Sequence, residues 1–147
     1  MAVKPIPDGY AAVTPYLIVK DADRLLQFMK AAFSAEVKEE HRLPDGSVAH
    51  ADVVIGGSHI MMGQAGGKWP EKLGSIMLYV PDADATYQAA LRAGAKPLYE
   101  MTTHFYGDRS GGVEDPSGVA WWISTHVEDV PPEELERRMK AHAPKAE

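Results

Sequence analysis

The chain has 147 residues, 45% of them hydrophobic and 24% charged, no cysteine and a formal net charge of −6. That fits one compact domain and excludes a disulfide scaffold or a Cys-ligated metal centre. Fifteen basic against 21 acidic residues argue against an electrostatic grip on nucleic acid or anionic lipid.

Apolar runs such as Val53 to Ile55 and Val119 to Ile123 are far shorter than the roughly 18 residues that cross a bilayer. Met1-Ala2-Val3-Lys4-Pro5 lacks the apolar core of a secretory signal. The expectations are a cytoplasmic protein with a small-molecule ligand, without nucleic acid or membrane.

In chain order, Val13 to Val19 is a β-branched run of strand length, stopped by Asp21, a residue suited to capping a helix. Leu25, Leu26, Phe28, Met29 and Phe33 follow at helical spacing. Three strands come next, Glu36 to Leu43, Ser47 to Ile55 and His59 to Gln64, joined by turns at Pro44-Asp45-Gly46 and Ile55-Gly56-Gly57. A Gly-rich link, residues 65–73, carries Trp69-Pro70. Its Gly66-Gly67-Lys68 is not a phosphate loop, because Trp69 stands where the hydroxyl residue belongs.

The order then repeats. Ile76 to Val80 is a strand, Tyr87, Ala90 and Leu91 mark a helix ended by Gly94, and Pro97 to Met101, Arg109 to Glu114 and Val119 to Thr125 are strands. A last helix spans 132–142, opened by Pro132-Glu133-Glu134. Sliding the chain over itself by 61 residues aligns Leu17, Val19, Asp21, Ala22, Asp23, Gln27, Ala32, Gly46 and Gly57 with identical residues, nine matches without a gap. The reading is an α+β domain over residues 1–147, built from two βαβββ modules, 8–64 and 74–130.

Thr14-Pro15-Tyr16-Leu17-Ile18-Val19-Lys20-Asp21, Ala93-Gly94-Ala95, Gly107-Asp108-Arg109 and Asp115-Pro116-Ser117-Gly118 together resemble the vicinal oxygen chelate superfamily, the glyoxalase, bleomycin-resistance and extradiol-dioxygenase group. His50-Ala51-Asp52, Phe105-Tyr106-Gly107-Asp108-Arg109 and Thr125-His126-Val127-Glu128-Asp129 are similar to its PhnB-like branch. The resemblance implies two modules whose sheets curl around a cleft, commonly completed as a homodimer. It also implies a metal held by one ligand from the first and one from the fourth strand of each module.

Counting back from Asp21 and forward from Asp115, with the 61-residue offset, puts those four positions at Thr14, Met61, Ser75 and Trp122. None is a usual ligand for a divalent transition metal, so no metal or other cofactor is expected. Because residues two apart on a strand share a face, the implied cleft continues to Tyr16, Met77 and Tyr79. His50 and Asp52 join it as a candidate acid/base pair. The offset matches His50 to Gly111 and brings Arg109 onto the equivalent strand, where its planar fork could grip an anion. His104, in the loop before Tyr106, could close over a ligand.

Two functions follow from the resemblance. One is a protein that binds a small organic molecule in an aromatic cleft, of the sequestering or resistance type. The other is a lyase, isomerase or dioxygenase that uses atypical metal ligands such as His50, Asp52, His59 or Glu114, or a metal-free site of His50 and Arg109.

Overall fold

Two modules of one pattern make up the computed structural model, which describes residues 3–142. Each opens on a short strand, β1 (Tyr16–Val19) and β5 (Ser75–Tyr79). Each strand passes to a helix capped by the aspartate that ends it: Asp21 accepts from the Arg24 N–H (3.1 Å) for α1 (Ala22–Phe33), and Asp82 from the Ala85 N–H (3.1 Å) for α2 (Ala83–Arg92). The fourth strand of each module holds the next N–H, with Gln64 accepting from Ala22 (3.0 Å) and Thr125 from Ala83 (2.8 Å).

Three strands follow each helix, β2 (Glu36–Arg42), β3 (Val48–Ile55) and β4 (Ser58–Gln64), then β6 (Lys96–Thr103), β7 (Asp108–Glu114) and β8 (Ala120–His126). They form two four-stranded mixed sheets, β1-β4-β3-β2 and β5-β8-β7-β6, with β1 parallel to β4 and β5 parallel to β8. This is the expected α+β fold, with the sheet divided in two. β1 is three residues shorter than the sequence suggests, because Pro15 has no N–H to offer a neighbour, although its carbonyl still accepts from Met61 (2.9 Å). The β3–β4 turn is a two-residue hairpin with Gly56 (φ 54°) and Gly57 (φ 85°) both left-handed, where a side chain would be strained.

The inner face of each sheet turns toward the helices. Leu17, Val19, Val53, Ile60 and Met62 from the first sheet and Val113, Trp121 and Ile123 from the second share one buried core with Leu25, Phe28 and Met29 of α1. Phe33 of α1 lies against Trp121, ring centroids 4.7 Å apart, and α1 packs on α2. Each large apolar side chain so buried contributes about 1.5–3 kcal/mol. With both inner faces spent on this core, the outer faces look away from it.

The repeat holds in space with one slip. Met61 and Trp122 stand 61 residues apart and pair with Tyr16 and Met77, also 61 apart. On the third strands the separation is 60, because Asp52 pairs with Met61 whereas Gly112 pairs with Trp122. His50 therefore corresponds to Ser110 and not to Gly111. The cause is the second hairpin turn, which pairs Glu114 with Ala120 where the first pairs Ile55 with Ser58. Asp115 fills this longer turn, accepting from the N–H groups of Ser117 (2.7 Å) and Val119 (3.1 Å) and from Trp121 Nε1 (2.8 Å). Burial raises its pKa, partly opposed by those bonds.

The last helix, α3 (Pro132–His142), buries no residue. Arg138 ties it to its own chain, donating to the Phe105 carbonyl (2.9 Å) and to both Glu128 oxygens (2.8 and 3.0 Å). No helix among the described residues is long and apolar enough to cross a membrane.

Candidate functional site

The outer face of the second sheet is aromatic. Trp122 lies flat over Gly112, where an added Cβ would come within 2.5 Å of the indole, so only glycine leaves room for the ring. The indole Nε1 donates to Ser75 Oγ (2.6 Å), and Tyr99 sits beside it at 5.6 Å between centroids. Met77, His104 and Tyr106 complete a cavity of about 430 Å³, with His104 stacked on Tyr106 at 5.0 Å. Tyr79 and Met77 are more than half exposed, at 57% and 53%, which is unusual for strand residues of a finished site.

The outer face of the first sheet carries a second cavity, about 470 Å³, lined by Tyr16, Ile18, Gly63, Gln64 and Trp69. Tyr16 reaches over Gly63 to His50, its Oη 3.0 Å from His50 Nδ1. Met61 pairs with both Tyr16 and Asp52. Thr14 lies before β1 and lines a third cavity at the seam between the modules.

Thr14 and Met61 thus belong to the first module, and Ser75 and Trp122 bond to each other in the second. Their hydroxyl, thioether and indole groups do not make a divalent-metal site. Among the described residues no three His, Cys, Asp or Glu side chains gather where they could hold a metal ion. The residues do not fit the metal that the family's pattern implies.

Two of the expected site groupings are not brought together. His50 bonds to Tyr16, whereas Asp52, fully buried, accepts from His59 Nδ1 (3.0 Å) and from Tyr10 Oη. Arg109 is on the inner face, because the 60-residue separation reverses its parity on β7. Its Nε and Nη2 grip both oxygens of Asp84 on α2 (2.7 and 2.9 Å), and Nη1 donates to Thr103 (3.1 Å). That hydrogen-bonded pairing holds the Asp84 carboxyl below its usual range and the guanidinium above its own. Arg109 therefore braces α2 and faces neither cavity of the outer faces.

The sequence offers His59 only as an atypical metal ligand, not as the partner of Asp52, and gives no sign of Tyr10. His59 sits two residues before Met61 on the same face, a diagonal neighbour of Asp52 across the two-residue turn, so strand arithmetic could have found it. Tyr10 lies in the segment before β1 and has no local signal. It stacks on His59 at 3.7 Å between centroids, and its hydrogen bond to Asp52 pushes its pKa up to about 12.

A second tyrosine, aspartate and histidine meet at the start of β7. Asp108 accepts from Tyr79 Oη (2.8 Å) and His126 Nδ1 (2.9 Å), and His126 Nε2 reaches Asp129 (2.7 Å). Burial alone would raise the Asp108 pKa, but the bonds from His126 and Tyr79 outweigh it and hold the carboxyl low. The bonds to Asp108 and Asp129 raise the His126 pKa above its ordinary value, and Asp108 raises that of Tyr79.

The sequence profile of the Glyoxalase/Bleomycin resistance protein/Dioxygenase superfamily matches residues 9–123, both modules almost in full. The chain belongs to this superfamily. An uncharacterized protein of Mycobacterium bovis is 35% identical over 141 residues, covering 88% of this chain and 93% of that one. Among solved structures, TioX from Micromonospora sp. ML1 superposes with a TM-score of 0.69 at 21% identity, over 80% of this chain and 99% of its own. The fosfomycin resistance protein FosX from Mesorhizobium loti gives 0.57 at 16% identity, over 78% and 90%. At those identities the two structures speak for the fold alone.

Proposed function

We propose that this superfamily member binds a small organic molecule by stacking and burial, without the metal, on the outer sheet faces of a homodimer. The observation that carries the reading is the outer face of the second sheet, where Trp122, Tyr99, Met77 and Tyr106 form an aromatic and thioether surface with few polar groups. Such a lining holds a flat organic ligand and orients it through a small number of hydrogen bonds.

The homodimer is supported by exposure. Both outer faces carry large apolar groups open to solvent, including Tyr16 at 49% and Tyr99 at 67%. Apolar surface of this kind is favourably covered, and a second copy offers the matching half-site. The net charge of −6 favours a cationic ligand. PhnB-like motifs in the sequence agree with placement in that branch. An acid/base site of His50 with Arg109 is disfavoured, because the guanidinium is committed to Asp84.

Proflavine, a fluorescent planar aromatic cation, serves as a probe. The proposal expects saturable binding, insensitive to chelator, with affinity at least tenfold weaker in Trp122→Ala, a loss of about 1.4 kcal/mol. Equal affinity in parent and Trp122→Ala, or binding abolished by chelator, would overturn it.

A further inference from the structure

The seam between the modules holds a cavity of about 420 Å³ that shares Met77 with the outer-face cavity of the second sheet but none of its aromatic residues. Its volume falls within the range of small-molecule sites. One wall is the segment before β1 with the β3–β4 turn, and the other is β5. Ile60, Ile76, Leu78 and Tyr79 give it an apolar lining, and none of its lining residues is an aspartate, glutamate, lysine or arginine. A charged ligand would find no counter-charge there.

His59 also lines this cavity. Its Nδ1 faces the Asp52 carboxylate at 3.0 Å, and a carboxylate can only accept, so Nδ1 carries the proton. In the neutral ring this tautomer leaves Nε2 as the bare lone pair. The ring is fixed from both sides: Tyr10 stacks on it at 3.7 Å and anchors to the other oxygen of Asp52. Only 11% of the His59 side chain is exposed. Nε2 has no hydrogen-bond partner among the described residues, and it is reachable from the cavity, since among them Ser124 Oγ is the buried side-chain polar atom left without a partner. Gly9 lies beside the nitrogen, close enough that an added Cβ would stand in van der Waals contact with Nε2 at 3.8 Å.

We infer that the seam cavity is a second ligand site, in which His59 Nε2, held in its accepting tautomer by Asp52 and Tyr10, receives the hydroxyl of an uncharged, largely apolar phenol. The absence of charged lining selects a neutral body, and the imidazole acceptor, the one ring nitrogen able to accept in a lining whose other accepting side chains are the hydroxyls of Thr14, Ser58 and Tyr79, selects a donor hydroxyl on it. This inference does not rest on the proposal for the outer faces, since Trp122 does not line the cavity.

The test compares two probes, p-cresol and its methyl ether 4-methylanisole, by calorimetric titration of the full chain. They differ in the donor hydrogen and share the ring. The site predicts at least a tenfold preference for p-cresol, because the ether leaves a buried acceptor unpaired. His59→Asn places an amide where Nδ1 stood, keeps the donation to Asp52 and removes Nε2. The preference should collapse to below twofold while the unfolding midpoint stays near the parent. His59→Gln, with its amide at the Nε2 position, should restore part of the preference. Trp122→Ala should leave it intact. Equal binding of the two probes, absence of binding by p-cresol, or a preference that survives in His59→Asn would overturn the inference.

Discussion

Each module presents a tyrosine, an aspartate and a histidine in one hydrogen-bonded group, and the two groups end in opposite states. In the first, Tyr10 and His59 close on fully buried Asp52, and the second imidazole nitrogen is left open to a cavity. In the second, Tyr79 and His126 close on Asp108, and the second imidazole nitrogen is taken by Asp129. The groups are not related by the internal repeat: Asp52 matches Gly112, and Asp108 matches Val48. The same side-chain types therefore make a fastening when both nitrogens are satisfied and leave a poised acceptor when one is free. A histidine beside an aspartate says little until the partner of its other nitrogen is known.

The comparison can be broken first at the carboxylates. Asp52→Ala strips the acceptor from Tyr10 and His59 in a buried setting and should cost about 3 kcal/mol. Asp108→Ala should cost about 1–2 kcal/mol, because the His126 side chain it leaves behind is half exposed and can turn to water. Denaturant unfolding of both variants checks the order, and a larger loss at Asp108 would reverse the assignment of the buried group.

A second contrast lies in the glycines beneath the outer-face aromatics. Gly112→Ala would push a Cβ to 2.5 Å from the Trp122 ring, whereas Gly63→Ala would meet the Tyr16 hydroxyl at 3.0 Å. The first should destabilise by about 1–3 kcal/mol and displace the indole, and the second by less than about 1 kcal/mol. Thermal unfolding with tryptophan fluorescence reads both effects.

The pH dependence separates the groups further. The folded-state pKa of His126 is raised, so the stability it brings is fully present below the ordinary histidine value of about 6.5 and is lost as pH rises through the raised value. The folded-state pKa of Asp108 is lowered, so its contribution is present above the ordinary carboxylate value of about 4 and is lost as pH falls through the lowered value. His126→Asn should flatten the upper limb of the stability profile and leave the lower limb in place. Smallest of all, Arg109→Ala should hardly change stability or ligand binding, since its pairing with half-exposed Asp84 is a surface contact.

Much of the architecture was legible because it rests on local signals. Asp21 and Asp82 announce both helices, Gly56-Gly57 announces the hairpin, and alternation along β8 separates core Trp121 from outer-face Trp122. Register across strands was harder. The identities at one fixed offset gave no sign that the second β-hairpin is longer, and that single residue put Arg109 on the wrong face. Long-range closure was not legible at all: Tyr10 meets Asp52 across 42 positions, through a segment with no periodicity.

The most direct test of the contrast is a two-bond proton–nitrogen correlation spectrum of the imidazole rings, recorded across neutral pH. His59, when neutral, should carry its proton on Nδ1 and show a bare Nε2. His126 should keep both nitrogens protonated to a higher pH than an ordinary histidine. A neutral His59 protonated at Nε2, or a His126 that loses its proton below the ordinary histidine range, would contradict that contrast.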